Sequence, residues 1–143
     1  MERAEILLPV AVLVAWSLVM MFWMVAVRIP AMRAKGINLS TAVGGRPGVL
    51  DGVLDERAQW KAHNYIHLME QPTLFYAIAI TLAVIGEGDG TNALLAWAYV
   101  GLRVIHSLIQ ATTNIIRYRF FAFLLSSLVL VALTVHALIA LID

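Results

Sequence analysis

The chain contains no cysteine, and this absence removes several kinds of chemistry at once. Disulfide bonds, thiolate metal sites and cysteine nucleophiles are all excluded. Charged residues are scarce, at 13% of 143 residues, and the cations form no patch interleaved with aromatic side chains of the kind that binds nucleic acid. The chain is instead rich in hydrophobic residues, which make up 62% of it and raise the mean hydropathy to +0.86. This composition is typical of a membrane protein.

Hydrophobic runs predict four membrane spans in a single domain, residues 1–143. The first run, Ile6–Val27, has 22 residues without a charge, which is enough to cross about 30 Å of hydrocarbon. It is also longer than the apolar core of a cleaved signal peptide, so we expect it to remain as a helix. We therefore expect an all-α fold, a four-transmembrane-helix bundle with antiparallel, up-down topology. The predicted helices are about 6–28, 57–85, 91–116 and 118–142, with a long loop over 29–56.

Positive charges are concentrated in two of the three connections. The segment between the first and second spans contains Arg28, Arg33, Lys35, Arg46, Arg57 and Lys61. The third connection has Arg117 and Arg119, whereas the second has only Glu87 and Asp89. Under the positive-inside rule the first and third connections are cytoplasmic, and both termini lie on the non-cytoplasmic side. The small size of the chain and the lack of a retention signal favour a bacterial inner membrane.

Two charged residues lie inside hydrophobic segments, and an antiparallel hairpin brings them to the same depth. Glu70 lies 16 residues before the turn Gly86–Gly90 and Arg103 lies 13 after it. In helices that rise ~1.5 Å per residue, both residues sit roughly 20–24 Å from this turn. Position numbers that add to 173 are level in such a hairpin, and neighbouring polar residues repeat the match: His67 with His106, and His63 with Gln110. Ionisable groups at membrane depth indicate a functional site.

These charges are costly, so something must compensate them. A charge at the centre of a membrane helix costs ~2.5–3.5 kcal/mol on insertion scales. An ion pair between Glu70 and Arg103 that only fixes helix register is one explanation. The second explanation is a ligand site. It is favoured by further polar residues, which extend the polar track about three helical turns toward the cytoplasm: His63, Asn64, His67, His106, Gln110 and Asn114. That track indicates a wet ligand site between helices.

The side chains at the cytoplasmic mouth indicate what such a site would bind. Arg28, Arg117 and Arg119 carry forked guanidinium donors, which hold carboxylates bidentately. Deeper in the track, Glu70 could accept hydrogen bonds from an ammonium group. This combination fits a small zwitterionic molecule with several carboxylates, such as a peptide. An apolar second substrate would arrive from the lipid.

The polar residues also carry a resemblance to a known family. The segment Trp60–Tyr76, followed by Arg-x-x-His at Arg103 and by Arg-Tyr-Arg-Phe at Arg117, resembles the MAPEG family, the membrane-associated proteins of eicosanoid and glutathione metabolism. The resemblance covers essentially the whole chain, since the number of spans and the long first and short second connections also match. It implies a homotrimer of four-helix subunits. Glutathione is then held between subunits near the cytoplasmic side.

The resemblance also implies roles for individual residues. Glu70 matches the glutamate that contacts the amino end of glutathione, and Arg119 matches the arginine that stabilises the glutathione thiolate in transferase members, which makes it the expected catalytic residue. The other expected ligand-binding residues are Arg28, His63, Asn64, His67, Arg103, His106, Gln110, Asn114 and Arg117. Two departures concern the chemistry: Gln110 replaces a tyrosine of several eicosanoid-type members, and Phe120 replaces a hydroxyl side chain. His67 or Asn64 stands in for the usual asparagine of the second helix.

The resemblance thus implies a glutathione-dependent transferase or peroxidase that acts on hydrophobic electrophiles, with glutathione as co-substrate and no metal. Three alternatives stay open. His63, His67, Glu70 and His106 include enough ligands for a metal ion, although Arg103 beside them would repel a cation. A histidine–glutamate chain can also form a proton or ion path, although the outer halves of both helices are apolar. Finally, the family plan includes a non-catalytic scaffold that presents lipid to a partner.

Overall fold

In the computed structural model, which describes residues 3–46 and 48–143, the chain is helical and its described residues form no strand. Five helices follow one another along the chain: α1 (Leu7–Ala34), α2 (Glu56–Leu68), α3 (Pro72–Val84), α4 (Thr91–Ala111) and α5 (Ile116–Ile142). Three of them, α1, α4 and α5, are long and apolar enough to cross a membrane. The predicted all-α fold is confirmed.

The second predicted span, 57–85, is divided into two helices. Each of α2 and α3 has 13 residues, too few to cross a bilayer alone. Pro72 is the physical cause, because it has no N–H to donate to the carbonyl of Leu68 and instead begins α3. The intervening backbone closes tight turns, with the N–H of Glu70 donating to the His67 carbonyl at 3.2 Å. The Thr73 hydroxyl then donates to the Glu70 carbonyl at 2.7 Å.

Two helix ends also differ from the prediction. The first helix continues past residue 28, through Pro30, to Ala34. It ends there because Gly36 adopts a φ of +75°, and the N–H of Ile37 reaches back to the Met32 carbonyl at 3.1 Å. The third predicted helix ends at Ala111 rather than 116, since the backbone of Asn114 has a φ of +51° and starts a short turn into α5.

α4 contacts α1, α2 and α5, and it runs antiparallel to α2 and α5 and parallel to α1, which begins at the same end of the molecule. Two hydrogen bonds show the antiparallel pairing with the α2–α3 segment: the Asn64 amide nitrogen donates to the Ser107 hydroxyl at 2.6 Å, and the Tyr99 hydroxyl donates to Gln71 at 3.2 Å. The apolar core lies toward the α3–α4 turn and includes Leu13, Met20, Phe75, Leu82, Tyr99 and Leu133. Arg103, His106 and Gln110 of α4 lie toward the opposite end.

The α3–α4 turn is fixed to the start of α1. The Ile6 N–H donates to the Gly88 carbonyl at 2.9 Å, and the Glu5 N–H donates to Asp89 at 2.6 Å. Gly88 is buried so closely that a Cβ there would lie 2.8 Å from the Ala4 Cβ and 2.9 Å from the Ile6 Cγ2. This end of the molecule is consequently closed and rigidly packed.

Candidate functional site

A cavity of about 310 Å³ opens between α2, α4 and α5, near the α4–α5 turn. Its wall combines predicted site residues with apolar ones: His67, His106, Gln110, Ile116, Arg119, Phe120 and Phe123. The four residues that α5 contributes lie at i, i+3, i+4 and i+7, so they form one face of that helix. This cavity is the candidate functional site.

Arg119 enters the cavity from the first turn of α5, and the α4–α5 turn holds it in place. Its Nη1 donates to the Asn114 Oδ1 at 2.7 Å. Asn114 has a φ of +51°, a left-handed conformation that asparagine tolerates better than most residues. The N–H of Asn114 also donates to the Ile109 carbonyl at 2.7 Å, which secures the turn. One nitrogen of Arg119 is thereby anchored, while the others remain for a ligand.

His67 and His106 lie together at the inner wall of the cavity. Their ring centroids are 4.6 Å apart, which confirms that these two residues are level. The ring of His67 also lies 5.8 Å from that of Phe123, and its Nδ1 is 3.2 Å from the Glu70 Oε2. When Nδ1 carries the proton it donates to this carboxylate, and the tautomer is then set by Glu70.

Glu70 and Arg103 do not form an ion pair with each other. The explanation that such a pair fixes the helix register therefore does not hold within one chain. The Glu70 side chain is 63% exposed and pairs with His67, because the kink at Pro72 directs it away from the bundle. Arg103 is completely buried, with its guanidinium carbon 5.9 Å from the ring centroids of Tyr99 and Phe123. All three guanidinium nitrogens are buried without a hydrogen-bond partner. The two aromatic faces offset part of the cost of this charge, and its donors remain unused.

The side-chain amides of Asn64 and Gln110 lie in different surroundings. Asn64 is fully buried and donates to Ser107, so it joins α2 to α4 rather than facing the cavity. Gln110 lines the cavity, and its Oε1 is buried without a partner. Of the two candidates to replace the family's second-helix asparagine, only His67 lies at the cavity.

Of the ten predicted ligand residues, His67, His106 and Gln110 line this cavity, whereas Asn64, Glu70, Arg103 and Asn114 do not. The remaining three lie elsewhere in the structure. His63 is exposed, and its Nε2 is 3.1 Å from the Asp51 Oδ1. Arg28 lines a different cavity under the α1–α2 connection. Arg117 is exposed, with its guanidinium 5.3 Å from the Tyr118 ring centroid. Within one chain, therefore, the structure brings together only part of the expected set.

The apolar wall was not found from the sequence. Ile116 and Phe123 were not singled out, and Phe120 was considered only as a departure from the family pattern. Their spacing relative to Arg119 is the signal that would have found them, since residues three and four positions apart share a helix face. Phe123 is the most consequential, because its ring contacts both His67 and the Arg103 guanidinium.

The structure also bears on two other chemistries. The described residues contain no group of three His, Cys, Asp or Glu side chains arranged to hold a metal ion. Toward the α3–α4 turn, the polar track ends at Phe75 and Tyr99, whose rings stack at 4.4 Å and 15°. The polar track is therefore closed by stacked aromatic rings on the side of the α3–α4 turn.

Comparisons with known proteins give a clear family assignment. The model of the MAPEG family matches residues 6–139, which include α1 to α4 and all but the last three residues of α5. No curated protein and no solved structure matches the chain. The family match agrees with the apolar helices in making the chain an integral membrane protein. It covers nearly the whole length, and the chain therefore belongs to the MAPEG family.

Proposed function

We propose that this protein is a glutathione-dependent transferase or peroxidase of the bacterial inner membrane that acts on hydrophobic electrophiles. Membership of the MAPEG family supports a glutathione-related activity of this type. The observation that carries the proposal is the position of Arg119, a permanent cation anchored by Asn114 inside a cavity with one polar and one apolar wall. The polar wall suits glutathione, and the phenylalanines suit the second substrate.

Arg119 would act on the thiol of bound glutathione. A free thiol with a pKa near 8.5 is mostly protonated at neutral pH, and a nearby guanidinium favours the thiolate. The thiol proton passes to water in the open cavity, and the sulfur forms a bond to the electrophilic carbon as the leaving group departs with its electron pair. Because both substrates are held side by side, proximity contributes much of the acceleration.

Glu70 would bind the other end of glutathione. Its carboxylate is exposed at the helix kink and uses Oε2 for His67, so Oε1 is available to the ammonium group. Gln110 occupies the place of a tyrosine of several relatives, and Phe120 that of a hydroxyl side chain, so neither provides a hydroxyl to the sulfur. Thiolate stabilisation would accordingly rest mainly on Arg119.

A homotrimer would complete the site. Glu70 faces outward from its own subunit, and His63 and Arg117 lie outside the cavity of their own chain. If each site lies between subunits, such residues can reach the cavity of a neighbour. Each subunit would then have four transmembrane segments, α1, α2 with α3, α4 and α5. The cationic α1–α2 connection and α4–α5 turn would face the cytoplasm, with both termini on the opposite side.

Direct binding of reduced glutathione to the protein in nanodiscs tests this proposal. Isothermal titration calorimetry should show saturable binding that Glu70→Gln weakens about tenfold, the value of one charge-assisted hydrogen bond at an exposed site. Glu87→Gln, which removes an exposed carboxylate at the far turn, is the matched control and should bind as the parent protein does. Absence of binding by the parent protein, or an equal loss in both variants, would refute the proposed site.

A non-catalytic, lipid-binding scaffold is the second candidate, and one groove favours it. A cavity of about 570 Å³ lies between α3 and α5, with mostly aliphatic walls. The hydroxyls of Thr81 and Thr134 donate to carbonyls of their own helices, so their hydrogens are not available to a ligand in the groove. Gln71 donates to Ser127 at 2.9 Å at one of its ends. Co-purified lipid together with no glutathione binding would favour the scaffold over the enzyme.

A further inference from the structure

A second cavity, of about 530 Å³, lies beneath the α1–α2 connection and is separate from the candidate site. It is bounded by the end of α1, by the connection itself and by the face of α2 that carries Gln59, Ala62 and Ile66. Its apolar wall includes Met32, Ile37, Leu50, Ala62 and Ile66. The cavity thus has room and surface for part of a hydrophobic chain.

Two arginines at this cavity have no acidic partner. Arg28 comes from α1 and Arg46 from the connection, and neither forms an ion pair with any residue that the structure describes. Asp51 is the acidic residue of the lining, but its Oδ1 already accepts from Gln59 at 2.9 Å and lies 3.1 Å from the His63 Nε2. The lining therefore contains two arginines and one carboxylate that already has partners, so its net charge is positive.

The side chain of Gln59 has an acceptor that needs a hydrogen-bond donor. Its side chain lines the cavity and the residue is only 4% exposed. Its Nε2 donates to Asp51, which fixes the amide orientation, and its Oε1 is then buried without a partner among the residues that the structure describes. A buried acceptor of this kind calls for a donor such as a hydroxyl group.

The residues around the cavity indicate that it lies at the level of the membrane surface. Arg28 is the first charged residue after the apolar stretch of α1. Nearby, the Lys61 Nζ lies 5.6 Å from the Trp23 ring centroid, an arrangement typical of the interfacial layer. Phosphate groups of lipids lie at this depth, and guanidinium groups bind phosphate bidentately.

We propose that this cavity is a binding site for an anionic phospholipid whose headgroup carries a hydroxyl, such as phosphatidylglycerol. Arg28 and Arg46 hold the phosphate, the headgroup hydroxyl donates to the Gln59 Oε1, and an acyl chain lies along Met32 and Ile66. A choline headgroup has neither a donor for Gln59 nor a net negative charge for the cationic surplus. The site therefore distinguishes lipids by headgroup.

Native mass spectrometry of the delipidated protein in detergent tests the proposal. Phosphatidylglycerol and phosphatidylcholine with identical acyl chains are titrated in parallel, and glycerol phosphate serves as the water-soluble headgroup alone. We expect phosphatidylglycerol to bind with preference and Arg46→Ala to weaken it about fivefold, as expected for one arginine at a lipid surface. Arg33→Ala is the matched control, because Arg33 is an exposed cation near the same end of α1 and does not line the cavity.

Three results would overturn the proposal: equal binding of the two phospholipids, equal losses in Arg46→Ala and Arg33→Ala, or binding of glycerol phosphate as tight as that of the lipid. The last result would indicate a site for soluble anions. Glutathione binding is measured on the same Arg46→Ala protein and should be unchanged. The lipid site and the glutathione site can therefore fail independently.

Discussion

The two ends of α4 carry similar polar side chains and use them differently. At the α3–α4 turn, both ends of the Asn92 amide are engaged: Nδ2 donates to the Glu87 carbonyl at 2.8 Å, and Oδ1 lies 2.6 Å from the His136 Nδ1. At the other end, the Gln110 Oε1, the His67 Nε2 and the Arg103 nitrogens are buried without partners. Satisfied polar groups hold helices together, whereas unsatisfied ones mark where water or a ligand completes the structure.

The same contrast distinguishes His136 from His106. Residue type alone does not distinguish them. His136 lies between α4 and α5 and has a defined partner, so it contributes to packing. His106 is 3% exposed, makes no side-chain hydrogen bond to any residue that the structure describes, and lies beside His67 in the cavity wall. We interpret the first as structural and the second as functional.

The largest expected effect is that of Arg119→Ala. Removing the cation that stabilises the thiolate should lower kcat about 100-fold, as loss of one preorganised electrostatic group does in other enzymes. The dissociation constant for glutathione should change less than about threefold, since the contact is stronger in the transition state than in the ground state. Steady-state kinetics with an activated aryl halide, combined with calorimetry, measures both quantities.

Arg119→Lys sharpens this test, because it keeps the charge but loses the bond geometry to Asn114. Its kcat should fall between those of the parent and the alanine variant. A pattern in which Arg119→Ala weakens binding and leaves kcat intact would contradict the assigned role.

The second prediction concerns the closed end. Gly88→Ala should destabilise the protein by ~1–3 kcal/mol, because its Cβ would lie within 3 Å of Ala4 and Ile6. Thermal unfolding in detergent measures the change. Gly101→Ala is the matched control: a Cβ there meets no atom within 4 Å, and alanine in a helix is favoured by up to about 1 kcal/mol. Equal melting temperatures for the two variants would show that the closed end is less tightly packed than its distances indicate.

The smallest effect is expected from Asn114→Gly. Glycine adopts the φ of +51° without strain, so the turn should persist while the anchor of Arg119 is lost. We expect kcat to fall about threefold, the worth of one neutral-acceptor hydrogen bond, with no change in melting temperature beyond experimental error. A kcat equal to that of the parent would show that Arg119 needs no anchor.

Much of the fold could be predicted from local patterns. Hydrophobic runs predicted the long helices α1, α4 and α5, and the level match of His67 with His106 followed from helical rise and a short turn. The boundaries were less predictable, because the end of α1 depends on the backbone of Gly36 and the end of α4 on that of Asn114. These conformations are set by turns and their hydrogen bonds rather than by hydrophobicity.

The site was less predictable than the fold, and Glu70 shows why. The hairpin predicts its depth, but depth does not specify direction, and its carboxylate lies beside His67 and is exposed to solvent next to the helix break at Pro72. Asn64 lies on the predicted polar stripe yet faces α4. Arg28 lies beside the cavity of the α1–α2 connection because that connection folds back over the end of α1.

The sequence by itself determined that this chain is helical and apolar enough for a membrane. It also determined that two hydrophobic segments contain charged residues, at positions that an antiparallel hairpin makes level. These properties depend on residue type and spacing along one helix, which the chain carries locally. Only the tertiary structure decided which polar groups satisfy one another and which are left for a ligand. That decision depends on the relative rotation of helices distant in sequence and on the break between α2 and α3, beside which the Glu70 carboxylate pairs with a histidine and not with an arginine.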